Sequence, residues 1–160
     1  MSKITPPTKH ALLPTCLLLW AGVSLGGNMI AAPAKFQVEV LTLPDLLLVG
    51  RAQFAWLGIA ELVLMIGVLG SWIIFGPRLG WAGLLAIALL IVQQTTLQPM
   101  LQNRTDLILL GQSAPSSHLH LVFIATEITK CVLLIVSSYI VLQRGYRIDH
   151  DETACDMARC

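Results

Sequence analysis

Four apolar runs, each near the roughly 20 residues that a membrane-crossing helix needs, take up most of this chain. They cover about 11–32, 46–75, 79–100 and 119–142 of 160 residues. A chain that must bury so much apolar surface has few folds open to it. Composition narrows the choice further: only 12% of residues are charged and 56% are hydrophobic, whereas soluble domains carry about 25% charged residues. Mean hydropathy is +0.76, so too little polar surface exists to face water. A membrane solvent removes the difficulty. The expected fold is all-α, a four-transmembrane-helix bundle over 11–142, flanked by an N-terminal segment (1–10) and a polar, acidic, mobile tail (143–160).

The runs differ in character. The second is long enough to tilt or to extend past a bilayer. Gln93, Gln94, Thr95 and Thr96 interrupt the third, whose purely apolar part, 79–92, would also suit a re-entrant or core helix. The first follows Lys3 and Lys9 and ends near "AAPA" (31–34), as a signal peptide does. It exceeds the 7–15 residues of a signal h-region and is read as a helix. Pro44 and Asp45 suit the first turn of helix two, where a missing N–H costs nothing and an acid favours the dipole. "GPRLG" (Gly76 to Gly80) reads as a tight turn. Gln102 to His118 reads as a longer loop, with Ser116 or Ser117 capping helix four.

Four spans put both termini on one side, with the Arg78 turn. That side holds Lys3, Lys9, Arg78, Arg144, Arg147 and Arg159, and the other holds Lys35, Arg51 and Arg104. The positive-inside rule then expects both termini in the cytoplasm of a multi-pass inner-membrane protein. A net charge of +1 supplies no basic field for nucleic acid, and no motif for it is present. Cys16 and Cys131 sit in apolar runs as small hydrophobes. Cys155 and Cys160, near His150 and Asp151, match no zinc spacing, so neither metal nor cofactor is expected.

Within helix one, "GVSLG" (Gly22 to Gly26) offers the small-residue spacing that lets two backbones approach. Helix four poses the harder question, because Glu127 and Lys130 lie in its apolar body. Each central charge costs about 2.5–3.5 kcal/mol on insertion scales. Residues three apart share a face, so the two can partly neutralise each other. His120 and Ser137 extend that stripe, which should point into the bundle. Helix three repeats Gln94, Gln98 and Gln102; helix two puts Arg51, Phe54, Gly58 and Glu61 on one broad face. Asn28 in helix one and Gln94 in helix three lie at overlapping depth with Arg51 and Glu127, and Glu61, Gln93 and Gln94 are the expected partners of Glu127 and Lys130. One polar seam through Asn28, Arg51, Glu61, Gln93, Gln94, Gln98, His118, His120, Glu127 and Lys130 is the expectation.

Four stretches carry a resemblance: "GNMIAAPAKF", "LVGRAQF", "QQTTLQPML" and "SSHLHLVFIATEITK". They resemble a small four-span family of bacterial integral membrane proteins defined only as a domain of unknown function. Small eukaryotic transmembrane proteins and, distantly, copper-resistance D-type domains are similar to it. The resemblance covers about Gly22 to Leu142. It implies a four-helix fold and polar positions at His118 or His120, Glu127 and Lys130, and brings no established activity or cofactor.

The seam is either a brace of interhelical hydrogen bonds or a binding or translocation site. The leading expectation is a non-enzymatic accessory or binding protein, with the lipid bilayer and other membrane subunits as partners. A small transporter or proton-coupled carrier using Glu61, Glu127 and Lys130 is the alternative. A membrane enzyme acting on a lipid-soluble substrate such as a quinone ranks third.

Overall fold

A computed structural model describes residues 8–75, 79–112 and 118–158, with side chains from 11 to 74, 79 to 112 and 118 to 146. Every regular element among them is helical. Four helices are long and apolar enough to cross a membrane: Ala11–Gln37, Leu43–Ile74, Gly80–Leu109 and Leu119–Tyr146. Part of the Gly76 to Gly80 turn, the Ser116 or Ser117 cap, Lys3, Arg78, Arg159 and Cys160 lie outside the described residues.

Helix one starts as Thr8–Ser24, widens into a π-helical segment at Leu25–Ala31, and closes with a short α turn and a 3₁₀ turn at Lys35–Gln37. Helix three repeats the device: Gly80–Val92, a π segment at Gln93–Leu97, then Gln98–Leu109. A proline follows each π segment at the next helical start, Pro33 and Pro99. Its ring crowds the carbonyl four residues back and offers it no N–H. Widening the preceding turn relieves both faults without ending the helix, as membrane helices tolerate. The sequence places the end of helix three near residue 100 and a loop over 102–118. Instead the helix runs to Leu109.

Its true stop is Gly111, at φ 71°. Gln112 N–H donates to Leu107 O at 2.9 Å and Gly111 N–H to Ile108 O at 3.0 Å, which is the paired closure of a Schellman motif. Helix two begins at Leu43, slightly before the expected 46, and Asp45 lies in its first turn. The Thr42 N–H and hydroxyl both donate to the Asp45 carboxylate, at 3.1 and 2.5 Å, fixing that start. Helix four continues to Ala158, past the expected 142. The tail is thus helical through Ala158. Gly145 is the sole glycine from 143 to 158 and no proline stands there, so no strong breaker ends the helix.

Helix four packs on both helix one and helix three, and helix one also packs on helix two. Helices two and three touch little. The apolar core fills the half of the bundle nearer the termini, with Leu13, Leu17, Trp20, Val68, Leu90 and Leu134 essentially sealed. There Ala82, Gly83 and Ala86 of helix three give helix four a close approach, and Ser137 Oγ donates to Leu79 O at 3.0 Å. Ser138 Oγ ties helix four to Pro14 O at 3.1 Å. The outward faces stay apolar, with Trp56, Val63, Ile66, Ile73 and Trp81 each well exposed. Hydrocarbon suits such faces.

The glycine expectation for helix one is corrected. A Cβ at Gly22 or Gly26 would meet nothing within 4 Å, because Ala21, Ser24 and Asn28 take the inward face instead. At Gly83 a Cβ would lie 2.5 Å from the Leu79 side chain and 3.0 Å from Ser137 Oγ. Gly22→Leu and Gly26→Leu should therefore leave the melting temperature of the extracted protein unchanged. Gly83→Leu should lower it, by an overpacking cost of about 1–3 kcal/mol; equal melting of all three would contradict this packing.

Candidate functional site

At the loop-side edge of the apolar core, the four helices each contribute a polar group to one buried cluster. Lys130 of helix four stands at its centre, with a fully buried side chain. Its ammonium donates to Glu61 Oε1 and Oε2 at 2.9 and 2.8 Å, to Gln93 Oε1 at 2.9 Å and to Glu127 Oε2 at 3.0 Å. Three N–H groups thus serve four oxygens, one of them shared across the Glu61 carboxylate. Ser24 of helix one donates its hydroxyl to Glu61 Oε1. Gln93 donates from Nε2 to Glu127 Oε2 at 2.9 Å and to Thr126 Oγ1 at 3.1 Å. That network sets the Gln93 amide orientation, since the flipped form would turn its NH₂ toward the ammonium.

The local sequence explains the geometry. Glu127 and Lys130 lie three apart on helix four and form an ion pair within it. Glu61 reaches them from helix two as a second pair. The π segment at Gln93–Leu97 begins with Gln93 itself and leaves Gln93 and Leu97 buried. Both acids and the lysine are at most 3% exposed. When all are ionised the cluster holds two negative charges and one positive.

Beside the cluster, toward the loops, lies a cavity with room of about 10 Å³, lined in part by Asn28, Gln94, Gln98 and Glu127. Beyond it a larger, partly open cavity of about 580 Å³ occupies the loop-side half. Apolar side chains such as Met29, Leu47, Leu101 and Ile124 line it together with Lys35, Arg51, Arg104 and His120. Phe54 and Phe123 belong to both cavities, and their rings meet edge to face at 5.5 Å.

The single seam expected from the sequence is therefore two places. Glu61, Gln93, Glu127 and Lys130 meet in the cluster. Asn28 is buried beside it; Gln94 lies over the bare face of Gly58, and Gln98 donates to Phe54 O at 3.2 Å. Arg51 stands apart, ion-paired with Asp106 where both are part-exposed. His120 lines the large cavity and His118 is exposed at the start of helix four, so neither histidine reaches the cluster.

Sequence reasoning missed Ser24, Thr126, Asp106 and Lys35. Two of these carried a readable signal. Ser24 precedes Asn28 by four residues, and Asp106 continues the Gln94, Gln98, Gln102 spacing by one more step. Among the described residues no group of three or more His, Cys, Asp or Glu could hold a metal ion. No family model, curated protein or solved structure matches the chain.

Removing one member of a buried ion pair leaves its partner uncompensated, at about 3–5 kcal/mol. Lys130→Met should therefore destabilise most, because it leaves two facing acids. Glu61→Gln and Glu127→Gln each bring the formal charge to zero, and Glu127→Gln should be the mildest because only one of its oxygens is engaged whereas both Glu61 oxygens are. In a Lys130→Met/Glu61→Gln double-mutant cycle the losses should fall short of their sum. Additive losses in Tm-derived stability would show that the pair is not coupled.

Proposed function

We propose that this chain is a multi-pass protein of the inner (plasma) membrane, with both termini in the cytoplasm, that binds an amphipathic anion in its large cavity. It acts as an accessory or binding protein. The observation that carries this reading is the chemistry of the cavity wall. A volume of about 580 Å³ falls within the roughly 300–1,000 Å³ of small-molecule sites, and its lining pairs apolar side chains with basic ones.

Lys35 is the residue best suited to the head group. Its Nζ sits 5.4 Å from the ring centroids of both Phe36 and Phe54, and among the described residues no carboxylate pairs with it. Gly50 makes the space: a Cβ there would lie 2.6 Å from that Nζ. Arg51 is already balanced by Asp106. An anionic head beside Lys35 with a hydrocarbon body against Met29, Leu47 and Leu101 would use both kinds of wall.

A carrier is the second reading. It rests on the small cavity, which shares Asn28, Phe54, Gln98 and Phe123 with the large one and so joins it to the buried acids. Ion- or pH-linked uptake into vesicles would favour it over simple binding.

Native mass spectrometry of gently extracted protein tests the binding reading. Wild type should retain an anionic amphiphile, and Leu101→Trp, which fills the cavity, should lose it. Lys35→Gln should weaken its retention about tenfold, the equivalent of roughly 1.5 kcal/mol for a hydrogen bond to a charged group. Retention of neutral lipids alone, or retention indifferent to both changes, would refute it.

Orientation is tested separately. In sealed cells a membrane-impermeant thiol reagent should label a Gln112→Cys variant and spare native Cys155 and Cys160. Strong labelling of those native cysteines would reverse the topology.

A further inference from the structure

The small cavity beside the cluster contains an unresolved balance of lone pairs and charge. Two buried oxygens at its wall, Asn28 Oδ1 and Glu127 Oε1, have no hydrogen-bond partner, although their residues are only 8% and 1% exposed. Neither can donate: an amide oxygen and an ionised carboxylate oxygen carry only lone pairs. Buried acceptors in folded proteins are almost always satisfied, so something that donates or carries positive charge belongs between them.

Three facts define the guest. The room is about 10 Å³, near the minimum for one water-sized particle. The wall is rich in oxygen: Gln94 and Gln98 join Asn28 and Glu127, and Gln98 has its nitrogen engaged by Phe54 O, which leaves its carbonyl oxygen available. The charge deficit is one, because Lys130 alone faces Glu61 and Glu127. Ser24, Gln93 and Thr126 complete the surroundings from helices one, three and four without adding charge. A divalent ion would overshoot the deficit and would demand six or more oxygens or retained waters. An oxygen-lined space of this size suits a hard monovalent ion stripped of its water.

We propose that Asn28 and Glu127, with the side-chain oxygens of Gln94 and Gln98, form a binding site for a single monovalent cation of about sodium's size. The ion takes the Glu127 oxygen that Lys130 does not use. It reaches the site from the large cavity, past the Phe54–Phe123 ring pair that lines both spaces. The site stands independently of what the large cavity binds.

The test uses the full chain in lipid nanodiscs, melted in sodium, potassium or choline chloride at equal ionic strength. Sodium should raise Tm saturably, by about 5–10 °C when it is about a hundredfold above its Kd; potassium should do less and choline nothing. Asn28→Ala keeps every charge of the cluster and should weaken the apparent sodium affinity at least about tenfold. Glu127→Gln should abolish the response, and Gly22→Leu, on an open face of helix one, should leave it intact. Identical melting in sodium and choline would overturn the proposal, since a proton or a water would then fill the space. A sodium response unchanged in Asn28→Ala would overturn it as well.

Discussion

The buried ammonium of Lys130 is the interaction on which the rest of this structure depends. Hydrocarbon gives apolar helix faces no reason to prefer one another, since lipid tails are as apolar as leucine. A shared polar centre does give such a reason. Ser24, Glu61, Gln93 and Glu127 come to Lys130 through one network from four helices, and each helix must adopt one rotation and one height to supply its group. A charge left outside that network would stand alone in a medium that penalises it by several kcal/mol. Register is the product of that penalty.

The two π segments show how the backbone adapts to this demand. An undisturbed α-helix advances each side chain by a fixed angle, so its face is set by spacing alone. Widening a turn shifts that phase. Asn28 lies within the first widened segment and Gln93 opens the second; Asn28 ends up buried beside the cluster and Gln93 within it. The prolines that follow, Pro33 and Pro99, are the local cause. Residues that look like helix terminators in the sequence thus reshape the wall of the site. Such widened turns recur at functional sites in other helices.

An asymmetry along the bundle follows. Toward the termini, alanine and glycine on helix three and two serines on helix four allow a tight core. Toward the loops, the helices part around a cavity of about 580 Å³, where aromatic and long basic side chains replace small ones. The cluster lies at the border between the packed half and the hollow half. It is shielded on one side by the leucine core and reached on the other through space lined by amides and two phenylalanine rings.

How much of this was legible in the residues alone depends on the distance over which each feature is decided. Four apolar runs determined an all-helical chain with four membrane-length helices, because run length and hydropathy are local quantities. Three-residue spacing also determined that Glu127 and Lys130 share a face, and their charge required that face to turn inward. Where the helices stop was less legible. The end of helix three waited for Gly111 and its closing hydrogen bonds, and helix four continued through a polar segment that lacked any strong breaker. Only the tertiary structure decided that Glu61 and Gln93, and neither histidine nor Gln94, complete the cluster. It alone moved Gly22 and Gly26 to an open face, placed Asp106 against Arg51, and left two oxygens of Asn28 and Glu127 without partners. Those outcomes depend on the relative rotation of helices whose sequences lie tens of residues apart, and a phase shift of one widened turn is enough to exchange one face for another.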